Sequence, residues 1–245
     1  MTEKEIRQTM RATVPDNKVG EHEIEHFTVG KPSADLYNCN QTLPGRELTA
    51  GTYTRLVRYD RHGDYDSGKG QYVLVMSDTP AEIADHVEPV RKAHGHVLIN
   101  GLGLGCVLQG CMANPEVDSV TVVDISEDVI ALSGEYFKGL YGDRLNIVHA
   151  SAFDYKPPKG IRYGMVWHDI WDYISDENLS DMHRLHRKYG RLCDWQGSWV
   201  RKHCESLRNK EKRRQKAIDA MLGGSVDDIA GDIDKMFVTV DGILL

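Results

Sequence analysis

Residues 96–124 constrain this chain more than any other stretch, because they set out a buried strand, a glycine turn, a helix, a second buried strand and a carboxylate. The first apolar run, His96-Val97-Leu98-Ile99, enters Asn100-Gly101-Leu102-Gly103-Leu104-Gly105. Cys106 to Asn114 reads as a helix, and Ser119 to Val123 as a strand ending on Asp124. Strands that are β-branched and almost continuously apolar belong inside a parallel sheet, covered on both faces. A tight glycine turn between such a strand and a helix lets a ligand approach the backbone closely. An acid at the tip of the next strand, 23 residues after Gly101, stands where a ribose diol is held. The stretch predicts a nucleoside-binding crevice. The plain alternative is a tight turn and an acidic strand end that bind nothing.

The spacing narrows the ligand. The dinucleotide fingerprint asks for glycine or alanine three residues after the second glycine. Cys106 stands there and the third glycine comes early, at Gly105, so the pattern is G-x-G-x-G. That suits nicotinamide cofactors poorly. It resembles motif I of the class I S-adenosylmethionine-dependent methyltransferases. A similar loop occurs in the polyamine aminopropyltransferases (spermidine synthase), which bind the decarboxylated form of the same cofactor. The resemblance runs from Val97 to Asp172, about a third of the chain.

The resemblance implies S-adenosylmethionine as cofactor and a methyl acceptor of open identity. Asn100, Gly101, Gly103 and Gly105 would lie under the cofactor's amino-acid end, Asp124 would hold the ribose hydroxyls, and Ile125 would pack on the adenine. Leu145 to Asp154 looks like the third strand and its exit. Aminopropyltransferases usually carry an aspartate at the place of Ser151, where it reads the adenine amino group; backbone groups of Ser151 and Ala152 can replace it. Tyr163 to Asp172 looks like the fourth strand and the active-site loop. Asp169 holds the place of an aspartate beside the attacking amine and is the candidate catalytic residue. The Asp/Asn-Pro-Pro-Tyr motif of DNA amino-methyltransferases is not matched, because both prolines are absent. Aminopropyl transfer, or a nucleoside-binding module without catalysis, are the alternatives.

The chain order β, α, β, α, β, β from 96 to 172 predicts a doubly wound, mostly parallel Rossmann-like α/β sheet, preceded by a small β-rich region and followed by a helical carboxy-terminal part. The expected division is 1–77, 78–200 and 201–245. In such a sheet the ligand lies at the carboxyl ends of the strands. Gly101, Asp124, Ser151 and Asp169 all fall at such ends. Upstream, Ile24 to Val29, Thr49 to Tyr59 and Gln71 to Met76 read as strands, with a turn at Gly63 to Gly70 and a loop from Pro32 to Gly45. Thr79, Pro80 and Glu82 signal a helix entry with a capping box, the helix running to about Ala93 with Pro89 able to kink it. Glu82 and His86 are read first as capping or solvated residues and second as facing the cofactor. A fifth strand, Leu192 to Trp195, and a terminal one, Met236 to Leu245, are weakly marked, and the acidic Asp227 to Asp234 reads as a solvated helix or loop.

Other features bound the function. The net charge of −7 over 245 residues argues against general nucleic-acid coating. No apolar run approaches the ~20 residues of a membrane span, and Met1-Thr-Glu-Lys-Glu lacks an apolar signal segment. The expectation is a soluble, cytoplasmic protein, with a homo-oligomer left open. Five cysteines without C-x-x-C spacing read as buried thiols. His168 reads as structural. The tryptophans at 167, 171, 195 and 199 read first as core packing and second as a pocket wall. His183 and His186 lack a metal-site pattern, and no metal is expected. Residues 201–216 carry eight Lys or Arg against Glu205 and Glu211. This is a solvated helix face or a docking strip for an anionic partner.

Overall fold

The computed structural model describes residues 1–40, 46–59 and 72–222. The Gly63–Gly70 turn, the Asp227–Asp234 stretch and the Met236–Leu245 strand lie outside these residues. Two sheets organise the chain. The first is antiparallel, in the order β1 (Asn17–Val19), β2 (His22–Val29), β3 (Gly51–Tyr59) and β4 (Tyr72–Ser77). The second is parallel throughout and runs β7 (Leu145–His149), β6 (Val117–Asp124), β5 (Gly95–Asn100), β8 (Tyr163–His168) and β9 (Cys193–Ser198). This is the α/β Rossmann-like sheet that the apolar runs predict.

The helices are α1 (Glu3–Thr9), α2 (Lys31–Asn40), α3 (Pro80–Asp85), α4 (Val87–Lys92), α5 (Cys106–Met112), α6 (Glu127–Val129), α7 (Glu135–Tyr141), α8 (Asn178–Tyr189) and α9 (Arg201–Leu222), with a π turn at Ile130–Gly134. Alternate residues of the central strands serve opposite faces, as the strand period requires. Val97, Ile99, Val120, Val122 and Met165 join a core with α1, α4, α5 and Phe137 of α7. Leu98, Val123 and Val166 join a second core with Leu185 and Tyr189 of α8.

Local structure departs from the sequence expectation at α2, α3 and α4. Pro32 to Gly45, expected as a loop, is helical as far as Asn40. Pro32 occupies the first turn, where no amide donor is needed. Asn38 exchanges two 2.8 Å hydrogen bonds with the Leu48 backbone, and the Asn40 amide donates to Leu36 O at 3.0 Å, so neither breaks the helix. The helix from Thr79 to Ala93 is two short helices meeting at His86, with Pro89 harmless in the first turn of α4. Thr79 makes no side-chain cap. Glu82 reaches further back, accepting from Ser77 N at 2.7 Å and Ser77 Oγ at 3.0 Å. The weakly marked fifth strand is β9, paired in parallel with β8. Its polar sequence, Asp194 to Ser198, fits an edge position.

Candidate nucleoside-binding site

In the order β7-β6-β5-β8-β9 the chain moves outward from β5 through β6 to β7, then returns to the other side of β5 with β8. The topological switch therefore lies between β5 and β8, and connections leaving the two strands in opposite directions open a crevice at their carboxyl ends. A cavity of about 480 Å³ lies there, within the size range of small-molecule sites.

The glycine loop forms its floor. Gly101, Gly103 and Gly105 all have positive φ, at 103°, 50° and 72°, conformations that L side chains avoid. Gly101 N–H donates to Val123 O at 2.8 Å, and Asp169 N–H donates to Asn100 O at 2.8 Å, so the loop is pinned to both neighbouring strands. A Cβ on Gly101 would run into the carbonyl oxygen of Asp169, and one on Gly103 into the thioether sulfur of Met76.

Asp124 stands at the tip of β6. Its Oδ2 accepts from Leu102 N at 2.7 Å and its Oδ1 from Ser126 N at 2.8 Å. These bonds orient the carboxylate; burial outweighs them and raises its pKa. Each oxygen keeps a further lone pair for a ligand hydroxyl. Ile125, next along, is 71% exposed, an apolar side chain left uncovered at the cavity rim. Ser151 and Ala152, at the exit of β7, line the same space with Phe153.

Asp169 lies at the end of β8, its side chain 20% exposed. Burial, together with the carboxylates of Glu82, Asp85, Asp172 and Asp124, holds its pKa well above the usual carboxylate range. Beside it, 3.6 Å away, is Nε2 of His86. His86, read as capping or solvated, is 2% exposed and meets the Trp167 ring edge-on at 5.9 Å. Burial pushes its pKa down to about 4, and its Nδ1 has no hydrogen-bond partner. Asp169 can thus hold a proton, or ionise when a cation enters.

The cavity's other wall carries no local mark in the residue pattern. His22 pairs across strands with Arg58, and Leu56 with Met76. All four, with Val75, turn one face of the antiparallel sheet to the cavity. The sheet is tied there by Arg58 to Asp172 at 2.9 Å, by Leu104 N–H to Met76 Sδ at 3.0 Å and by His22 Nδ1 to Asp128 at 3.1 Å. The predicted strands carried the signal for this sheet, but nothing local says where a sheet will dock.

The structure thus brings Gly101, Gly103, Asp124, Ile125, Ser151, Ala152 and Asp169 around one cavity, and leaves Asn100 and Gly105 out of its lining. The Asn100 side chain, fully buried, bonds His168 Nδ1 at 2.8 Å instead. Gly105 packs on Phe137. Trp167 and Trp195 stack 6.3 Å apart in the core, while Trp171 lines the cavity. His186 is taken by Ser198 Oγ at 2.9 Å and Arg201 at 2.8 Å. Among the described residues no cluster of metal-binding side chains occurs, and no helix is long and apolar enough to cross a membrane.

No protein-family model matches the chain, and no curated protein does. Solved structures resemble parts of it. The YcgJ protein of Bacillus subtilis is 14% identical over 44% of this chain and 45% of its own, with a TM-score of 0.35. The [4+2]-cyclase SpnF is 18% identical over 49% and 46%, with a TM-score of 0.36. An S-adenosylmethionine-dependent methyltransferase of Clostridium acetobutylicum is 10% identical over 43% and 41%, with a TM-score of 0.31. The chain spans less than half the length of each of these structures.

Proposed function

We propose that the cavity binds S-adenosylmethionine and that the protein transfers its methyl group to an acceptor seated beside Asp169. One observation carries the reading: at the switch point, Gly101 and Gly103 of the glycine loop, the Asp124 carboxylate and the uncovered Ile125 face one cavity of nucleoside size. The residues fit the cofactor. Asp124 offers acceptors to two vicinal hydroxyls, Ile125 an apolar surface to a purine, and the glycine loop a backbone without side chains in the way of an amino-acid arm. When bound, the cofactor supplies an activated methyl group. The protein aligns the acceptor, excludes water under the antiparallel sheet, and holds or takes a proton at Asp169.

Titration calorimetry with S-adenosylhomocysteine tests the reading. Micromolar binding is expected, and Asp124→Ala weakens it at least tenfold, about 1.4 kcal/mol. Absence of heat with the wild-type chain, confirmed by equilibrium dialysis, refutes it. Aminopropyl transfer is the second reading, favoured by the raised-pKa carboxyl of Asp169 beside Asp172, which would receive an amine. Relative affinity for the carboxylated and decarboxylated cofactors separates the two.

A further inference from the structure

Val75 and Met76 both face the cavity, although consecutive strand residues normally point to opposite faces. The register explains it. Leu56 pairs with Met76 but Val57 pairs with Leu74, so Val75 is an extra residue in β4, a bulge. Bulges re-aim side chains and gather beside functional sites. Here the bulge delivers the Met76 sulfur onto the glycine loop, where it takes the Leu104 N–H at 3.0 Å and sits against the bare face of Gly103. Thioether sulfur is a weak acceptor. It holds a backbone donor that an oxygen of a ligand's carboxylate would hold more strongly.

We propose that Met76 is a plug: its side chain and the amino-acid arm of a bound nucleoside compete for the groove over Gly103 and Leu104, so β4 must release the loop before such a ligand seats fully. The inference rests on the cofactor reading above and adds that the resting site is self-occupied. β4 is suited to this, because among the described residues it pairs only with β3. Met76, packed against the edge of the main core, is a flexible, unbranched side chain with several rotamers open to it.

The test compares two ligands on the full chain: S-adenosylhomocysteine, which has the amino-acid arm, and adenosine, which lacks it. Met76→Ala tightens S-adenosylhomocysteine about fivefold, the equilibrium worth of one neutral hydrogen bond, and leaves adenosine within about twofold. Met76→Leu keeps the bulk and removes the acceptor; it tightens the same ligand by about twofold and decides the matter should the alanine variant melt too low for titration. Weaker or unchanged binding of S-adenosylhomocysteine overturns the plug and makes Met76 a wall of the site. An equal gain for adenosine overturns it too, since general loosening then explains the effect. If the wild-type chain binds neither ligand, the cofactor reading itself fails and takes the plug with it.

Discussion

Replacing glycines one at a time by alanine separates backbone strain from collision, and the structure supplies a graded set. Gly139, in α7, has ordinary φ and no atom within 4 Å of a would-be Cβ. Alanine there removes only the entropic handicap of glycine in a helix, a gain of about 0.5–1 kcal/mol. Gly95 is equally open but sits at φ 56°, so alanine pays the left-handed strain alone, about 1–2 kcal/mol. Gly101, at φ 103°, adds a collision with the Asp169 carbonyl. That oxygen belongs to the backbone and cannot rotate away. Relief means parting the ends of β5 and β8 and loosening the 2.8 Å bond from Asp169 N to Asn100 O, about another 1 kcal/mol. The total for Gly101→Ala is about 2–3 kcal/mol. For a domain of this size each kcal/mol moves the melting temperature by about 2–4 °C. Differential scanning calorimetry should therefore place Gly139→Ala about 1–4 °C above wild type, Gly95→Ala about 2–8 °C below and Gly101→Ala about 4–12 °C below. If Gly101→Ala melts no lower than Gly95→Ala, the close approach of the glycine loop to β8 is refuted, and with it the geometry of the crevice.

Glu82 gives a signed pH effect. Burial raises its pKa to about 7, so from pH 4.5 to 7 the native state holds a proton that the unfolded chain has lost. Its contribution is full below about pH 4.5 and fades as the pH rises through 7. Glu82→Gln cannot titrate, so its stability relative to wild type should rise by about 2 kcal/mol between pH 5 and pH 8 in urea unfolding; a gap independent of pH would contradict the burial. Thiol labelling offers another check. Cys39 is exposed, while Cys106, Cys111, Cys193 and Cys204 are buried, and burial raises the pKa of all four. A disulfide reagent should modify one thiol quickly in the native protein and five in denaturant; rapid native labelling of a second would show the core open.

The parallel sheet was legible because its central strands β5 and β6 are written in runs of valine, leucine and isoleucine that suit a doubly covered sheet. The floor and the Asp124 side of the site followed from the same stretch, since residues at successive strand ends must converge. The opposite wall was not legible. His22, Arg58 and Met76 belong to strands that were expected, but docking of one sheet on another leaves no mark in local periodicity. The approach of Met76 to the loop depends on an unmarked bulge at Val75. Asn100 was expected at the ligand and turns away, because His168 on the adjacent strand captures its amide. α2 was hidden by asparagines whose turn chemistry is satisfied by Leu48 and Leu36.

The plane of contact between the two sheets has a consequence for the molecule as a whole. Ile6, Met10, Val14, Ile24 and Leu56 belong to the same buried cluster as Val97, Leu104 and Phe137. The change of architecture at residue 77 is thus no seam in the packing, and a chain begun at residue 78 would present bare hydrocarbon to water where those five side chains had been. The two halves are therefore expected to melt as one cooperative unit.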